Sequence, residues 1–113
     1  MNLSRSLGDF EYKSNSNKNY KEQMVTCDPE IRKVSRQTGS DEFIILACDG
    51  IWDCLTSEEA VARVRKGMAE RSAKEKINEV IENIFDEIIA KDILSSSGVG
   101  TDNMTCVVVE FKK

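Results

Sequence analysis

An α+β fold, ordered strand, strand, helix, helix, strand and forming part of a larger sandwich, is what this sequence predicts. Three observations carry the prediction. Two short apolar runs, Phe43–Cys48 and Thr105–Val109, have the length of strands and are partly β-branched. Between them, two stretches repeat apolar residues at helical spacing. Neither apolar run alternates with polar residues, so each needs burial on two faces, and a helix pair over so small a sheet covers only one.

Taken in order, the chain opens on a polar head, residues 1–10. Residues 11–22 are rich in Asn, Ser and Lys without apolar periodicity and are expected to form a surface loop. Gln23 to Arg36 alternates briefly on both sides of Pro29, the only proline, which suits an edge strand or two short strands with a bend. Gln37 to Glu42 reads as a turn, and Phe43–Cys48 follows as a buried strand stopped by Asp49-Gly50. Thr56-Ser57-Glu58-Glu59 is a capping box, with Ala60, Val61, Val64 and Met68 behind it, predicting a helix over about 57–70. Ser72-Ala73-Lys74-Glu75 repeats the device. Ile77, Val80, Ile81, Ile84, Phe85, Ile88 and Ile89 then mark the strongest helix, with Lys76, Glu79, Glu82, Asp86 and Glu87 on its water side. Ser95-Ser96-Ser97-Gly98-Val99-Gly100 is a loop, and residues 103–111 hold the last strand.

Composition removes several chemistries. The 113 residues contain no histidine, so the chain supplies no Ser-His-Asp triad, no Cys-His pair and no histidine general acid. Cys27, Cys48, Cys54 and Cys106 include no Cys-x-x-Cys pair and sit mostly in or beside apolar runs, which predicts reduced, partly buried thiols in place of a disulfide framework or zinc site. A net charge of −4 argues against a nucleic-acid partner. No apolar run approaches the ~20 residues of a membrane span, and the first residues lack the blocks of a signal peptide. An intracellular, cytoplasmic or nuclear location is expected, with no membrane partner.

What chemistry remains must run on carboxylates, hydroxyls, thiols and basic groups. Asp49-Gly50 closes one apolar strand and Thr101-Asp102-Asn103 opens another, so two carboxylates stand where the chain leaves the core. Hard divalent cations take such ligands. On spacing alone these are equally ordinary turn and loop residues.

The surrounding letters add a resemblance. Phe43-Ile44-Ile45-Leu46-Ala47-Cys48-Asp49-Gly50-Ile51-Trp52-Asp53 closely resembles a signature of the metal-dependent protein phosphatase 2C family. Gly100-Thr101-Asp102-Asn103-Met104-Thr105 is similar to that family's last motif, and Leu3-Ser4-Arg5-Ser6-Leu7-Gly8-Asp9 to a third, in the family's order with Pro29-Glu30-Ile31 between. The resemblance implies a four-layer αββα sandwich of two antiparallel sheets with helices outside each. It also implies a protein serine/threonine phosphatase that hydrolyses phosphomonoesters of phosphoserine and phosphothreonine proteins with metal-bound water. The cofactor would be Mg²⁺ or Mn²⁺, binuclear in the complete domain.

Carried over by position, Asp49 and Asp102 would be metal ligands and Asp53 a ligand or supporting partner of a further ion. Arg5, Asp9, Gly50 and Asn103 would support the site, and Trp52 is expected in the core or against a helix. Nothing matches the family's N-terminal half, with its acidic pair, its Asp-Gly-His-Gly element and the histidine proposed as general acid. Residues 1–113 are therefore expected to be a C-terminal segment of such a domain, binding metal weakly or not at all alone and inactive alone. Self-association through the apolar strand faces is also expected. A non-catalytic binding or regulatory module built on the phosphatase fold is the alternative.

Overall fold

The computed structural model of the chain describes residues 3–72, 74 and 76–112. They divide into two compact units, the first ending at Arg36 and the second beginning at Gln37.

In the second unit the order is β1 (Phe43–Ala47), α1 (Asp49–Trp52), α2 (Ser57–Glu70), α3 (Ile77–Ile88) and β2 (Cys106–Glu110). The strands pair antiparallel, Phe43 opposite Glu110 and Ala47 opposite Cys106. The α+β class holds: among the described residues this unit has a two-stranded antiparallel sheet and three α-helices. The two expected helices stand where periodicity puts them, and α1 is an addition. Asp49-Gly50, read as a turn, instead opens this single turn of helix, too short for periodicity to announce.

The Thr56 capping box forms in full: the Thr56 hydroxyl accepts from the Glu59 N–H at 3.2 Å, and the Glu59 carboxylate accepts from the Thr56 N–H at 2.9 Å. That backbone donor, reinforced by the Thr56 side chain, holds the Glu59 carboxyl below its ordinary value. For α3, two members of the expected second box, Ala73 and Glu75, lie outside the described residues; the helix starts at Ile77 after Lys76, which makes no side-chain cap.

The core of this unit is Ile51, Leu55, Ala60, Val64, Val80, Ile81 and Ile84. Each Val, Leu or Ile side chain among them contributes about 1.5–3 kcal/mol on full burial. Phe43, Ile45, Ala47, Cys106 and Val108, alternate positions on the paired strands, pack against it. Val80 fits because Gly67 has no Cβ: one added there would overlap a Val80 methyl and touch its Cβ at 3.4 Å. Arg65 pairs with Glu42 at 3.0 Å and Arg71 with Glu110 at 2.7 Å, tying α2 to the chain before β1 and to the end of β2.

The other sheet face has no cover among the described residues, as expected from two apolar strands and a single helix pair. Ile44, Leu46, Val107 and Val109, paired across the strands, keep between 44% and 54% of their surface exposed.

In the first unit Val25 is the buried hydrophobic residue among those described. Phe10–Lys13 forms a 3-10 turn, and Gln23 closes the loop that follows, its amide donating to the carbonyls of Asn15 and Lys18 at 2.8 Å each. The strand expected within residues 23–36 does not form. Pairing there is confined to one isolated parallel bridge, Arg5 with Thr26, and residues 27–36 are neither helix nor strand. A short alternating run becomes a strand only when a neighbouring strand bonds its amides.

Candidate functional site

The antiparallel register sets the end of β1 against the start of β2, and so brings Asp49-Gly50 beside Asp102-Asn103. Three contacts join them. The Cys48 N–H donates to the Thr105 carbonyl at 3.1 Å, continuing the ladder one pair beyond the strands. The Cys48 thiol donates to the Asn103 carbonyl at 3.3 Å and accepts from the Thr105 N–H at 3.2 Å. Gly50 is buried against the same segment: a Cβ there would overlap the Asn103 carbonyl oxygen and lie 3.1 Å from its carbon. The approach of the two backbones therefore requires glycine at position 50.

Each aspartate is fixed by the residue after it. Asp49 Oδ1 accepts from the Gly50 N–H at 3.1 Å, and Asp102 Oδ1 from the Asn103 N–H at 2.7 Å. Asp53 caps the end of α1, its N–H donating to the Asp49 carbonyl at 2.7 Å. All three aspartates and Asn103 are exposed.

Carboxylate oxygens are the donor type Mg²⁺ and Mn²⁺ take, so the chemistry of these residues fits a metal site. Their number does not complete one. Among the described residues no group of three or more His, Cys, Asp or Glu side chains converges in a way that could hold an ion. Asp49 and Asp102 fit as part of a ligand set.

Arg5 and Asp9 stand in the first unit. Arg5 donates from Nε to the Asp28 carbonyl at 2.8 Å and pairs with Glu30 at 3.1 Å, so its fork is engaged with the chain itself. Asp9 adopts a left-handed conformation, φ 54°, beside Gly8 at φ 77°. The Lys13 ammonium, half-buried, donates to the carbonyls of Ser6 at 2.7 Å and Gly8 at 2.5 Å. Sequence reading missed this lysine, because its contacts are to backbone atoms and leave no periodic signal.

Two further residues depart from expectation. Trp52 lies outside the core, 39% exposed, and its indole N–H donates to the Ala47 carbonyl at 2.8 Å. The four cysteines are free as expected, but Cys27 is exposed while Cys48, Cys54 and Cys106 are half-buried. Burial first, and the neighbouring Cys48 second, push the Cys106 thiol up from its ordinary value, which disfavours its thiolate form. Cys48, between β1 and Asp49, is the other residue that sequence reading did not assign to the site. No helix among the described residues is long and apolar enough to cross a membrane.

Comparison with known proteins adds a family. The family model described as Protein phosphatase 2C matches residues 1–95. Protein phosphatase 2C homolog 2 of Saccharomyces cerevisiae is 46% identical over 98% of the chain. Protein phosphatase 2C homolog 3 of Schizosaccharomyces pombe is 47% identical over 95%, and protein phosphatase 1G of Rattus norvegicus 38% identical over 99%. The chain spans 23%, 24% and 21% of the length of these three relatives.

Proposed function

The chain belongs to the protein phosphatase 2C family, and on that premise we propose that it is the C-terminal segment of the catalytic domain of a Mg²⁺- or Mn²⁺-dependent protein serine/threonine phosphatase. Its substrates are phosphoserine and phosphothreonine proteins, in the cytoplasm or nucleus. Asp49 and Asp102 supply oxygen ligands to the metal centre, and Asp53 serves a further ion or supports the first. When bound, such ions neutralise phosphate charge and lower the pKa of water. The remaining residues hold the carboxylates in place. Gly50, Cys48 and Asn103 keep the two strand ends in contact, and Arg5 and Asp9 have a supporting role that belongs to the complete domain.

The observation that carries this reading is the meeting of Asp49-Gly50 with Asp102-Asn103 through the Gly50 backbone and the Cys48 thiol. The apolar face of Ile44, Leu46, Val107 and Val109 supports the four-layer sandwich, as the face a second sheet covers. In the isolated segment, that face drives self-association.

The test is made in the complete phosphatase with Mn²⁺ and a phosphopeptide. Asp49→Asn and Asp102→Asn should each lower kcat/KM by about 100-fold or more, beyond the ~10–100-fold typical of an outer partner; a change within about twofold overturns the ligand assignment. Residues 1–113 alone should show no turnover above background in the same assay, and activity matching the complete enzyme overturns the claim of inactivity.

A further inference from the structure

Residues 27–36 carry a feature that the phosphatase reading does not use. Within Arg32-Lys33-Val34-Ser35-Arg36, three cations stand in five residues, and no acidic residue intervenes between Glu30 and Asp41, in a chain whose net charge is −4. Ser35 is the only serine or threonine of the chain preceded by basic residues at both the second and the third position. Every residue from Ile31 to Gln37 is exposed. Ser35 has no hydrogen-bond partner, and Arg32 and Lys33 have no ion pair, among the described residues.

From these facts we propose that Ser35 is a phosphorylation site for a protein kinase with an acidic substrate groove. A kinase binds its substrate as a drawn-out segment and discriminates by charge pattern. Residues 27–36 have no helix or strand to unmake before they enter such a groove. Drawn out at about 3.3 Å per residue, they would set Arg32 about 10 Å from the acceptor hydroxyl, where acidic side chains of the kinase can pair with it and with Lys33. The step is transfer of the γ-phosphoryl group of Mg²⁺-ATP. The bond between Ser35 Oγ and phosphorus forms as the bond from phosphorus to the β,γ-bridging oxygen breaks. ADP departs, and the hydroxyl proton passes to the kinase's catalytic carboxylate. A dianionic phosphate there changes the summed charge of Arg32, Lys33, Ser35 and Arg36 from three positive charges to about one.

The experiment incubates the 113-residue chain with Mg²⁺-ATP and the catalytic subunit of cyclic-AMP-dependent protein kinase, and locates phosphate by peptide mass spectrometry. The expected result is phosphate on Ser35 of the unsubstituted chain, lost in Ser35→Ala. In Arg32→Ala/Lys33→Ala the initial rate should fall by at least about tenfold, as two charged contacts are removed. Phosphate absent from Ser35, placed on Thr38 instead, incorporated only after denaturation in urea, or added equally fast to the Arg32→Ala/Lys33→Ala chain overturns the proposal. Localisation on the unsubstituted chain decides the matter even if a variant fails to fold.

Discussion

Gly50 is the residue on which the meeting of the two aspartate motifs turns. A side chain there has no flexible neighbour to displace, since the obstacle is the backbone carbonyl of Asn103. Gly50→Ala should therefore lower the stability of the chain by about 1–3 kcal/mol, the usual range for forced overpacking, and reduce the urea midpoint. An unchanged midpoint would mean that the Asn103 segment gives way freely. Much of the candidate site was legible at this scale, because Asp49 and Asp102 sit in motifs whose letters carry a resemblance. The contact that joins them was not legible. It depends on a register that pairs residues more than fifty positions apart, and on a cysteine whose thiol serves as both donor and acceptor. Trp52 misled for a related reason: its size suggests burial, while its N–H finds a partner five residues back on the exposed side.

Among the elements, helices were legible because their information is local. A capping box and a 3.6-residue repeat locate α2, and the repeat locates α3, without reference to anything distant. Strands depend on partners, so Phe43–Ala47 and Cys106–Glu110 form by pairing with each other, while the alternation in residues 23–36 finds only the bridge to Arg5. Packing between α2 and α3 turns on Gly67 and Val80. Gly67→Ala gains about 1 kcal/mol of helix propensity but forces a β-branched, rotamer-poor side chain out of the way, so its net effect should be destabilising. In a Val80→Ala background the obstruction is gone, and the same substitution should stabilise. Denaturant melts of the four proteins check this reversal of sign; additive effects would show that the Gly67 and Val80 contact carries no energy.

At the scale of the whole molecule, the expected class is present and the expected second sheet is a proposal, since one sheet face packs on helices and the other keeps apolar side chains half exposed. Such a face on an isolated segment favours association with a like face. Sedimentation velocity of the 113-residue chain should show species larger than a monomer that grow with concentration, and Leu46→Lys or Val107→Lys, by placing a charge on the face, should shift the distribution toward monomer. A folded monomer that persists unchanged across the micromolar range would sink the self-association proposal. The layered architecture was only half legible for a physical reason: residues that lack polar alternation announce that both faces need cover, without saying what supplies it.

The Lys13 clamp has a consequence for how this sequence tolerates drift. Its ammonium holds two carbonyl oxygens, a feature every amino acid shares, so the contact is indifferent to the side chain at Ser6. Position 6 is limited by space and not by this contact, since the Ser6 Oγ is buried. Position 13 is limited by the contact itself, because only a long side chain ending in a compact cation with several donors reaches both oxygens at once. The clamped segment is thus held by its backbone path, and its tether depends on a single side chain.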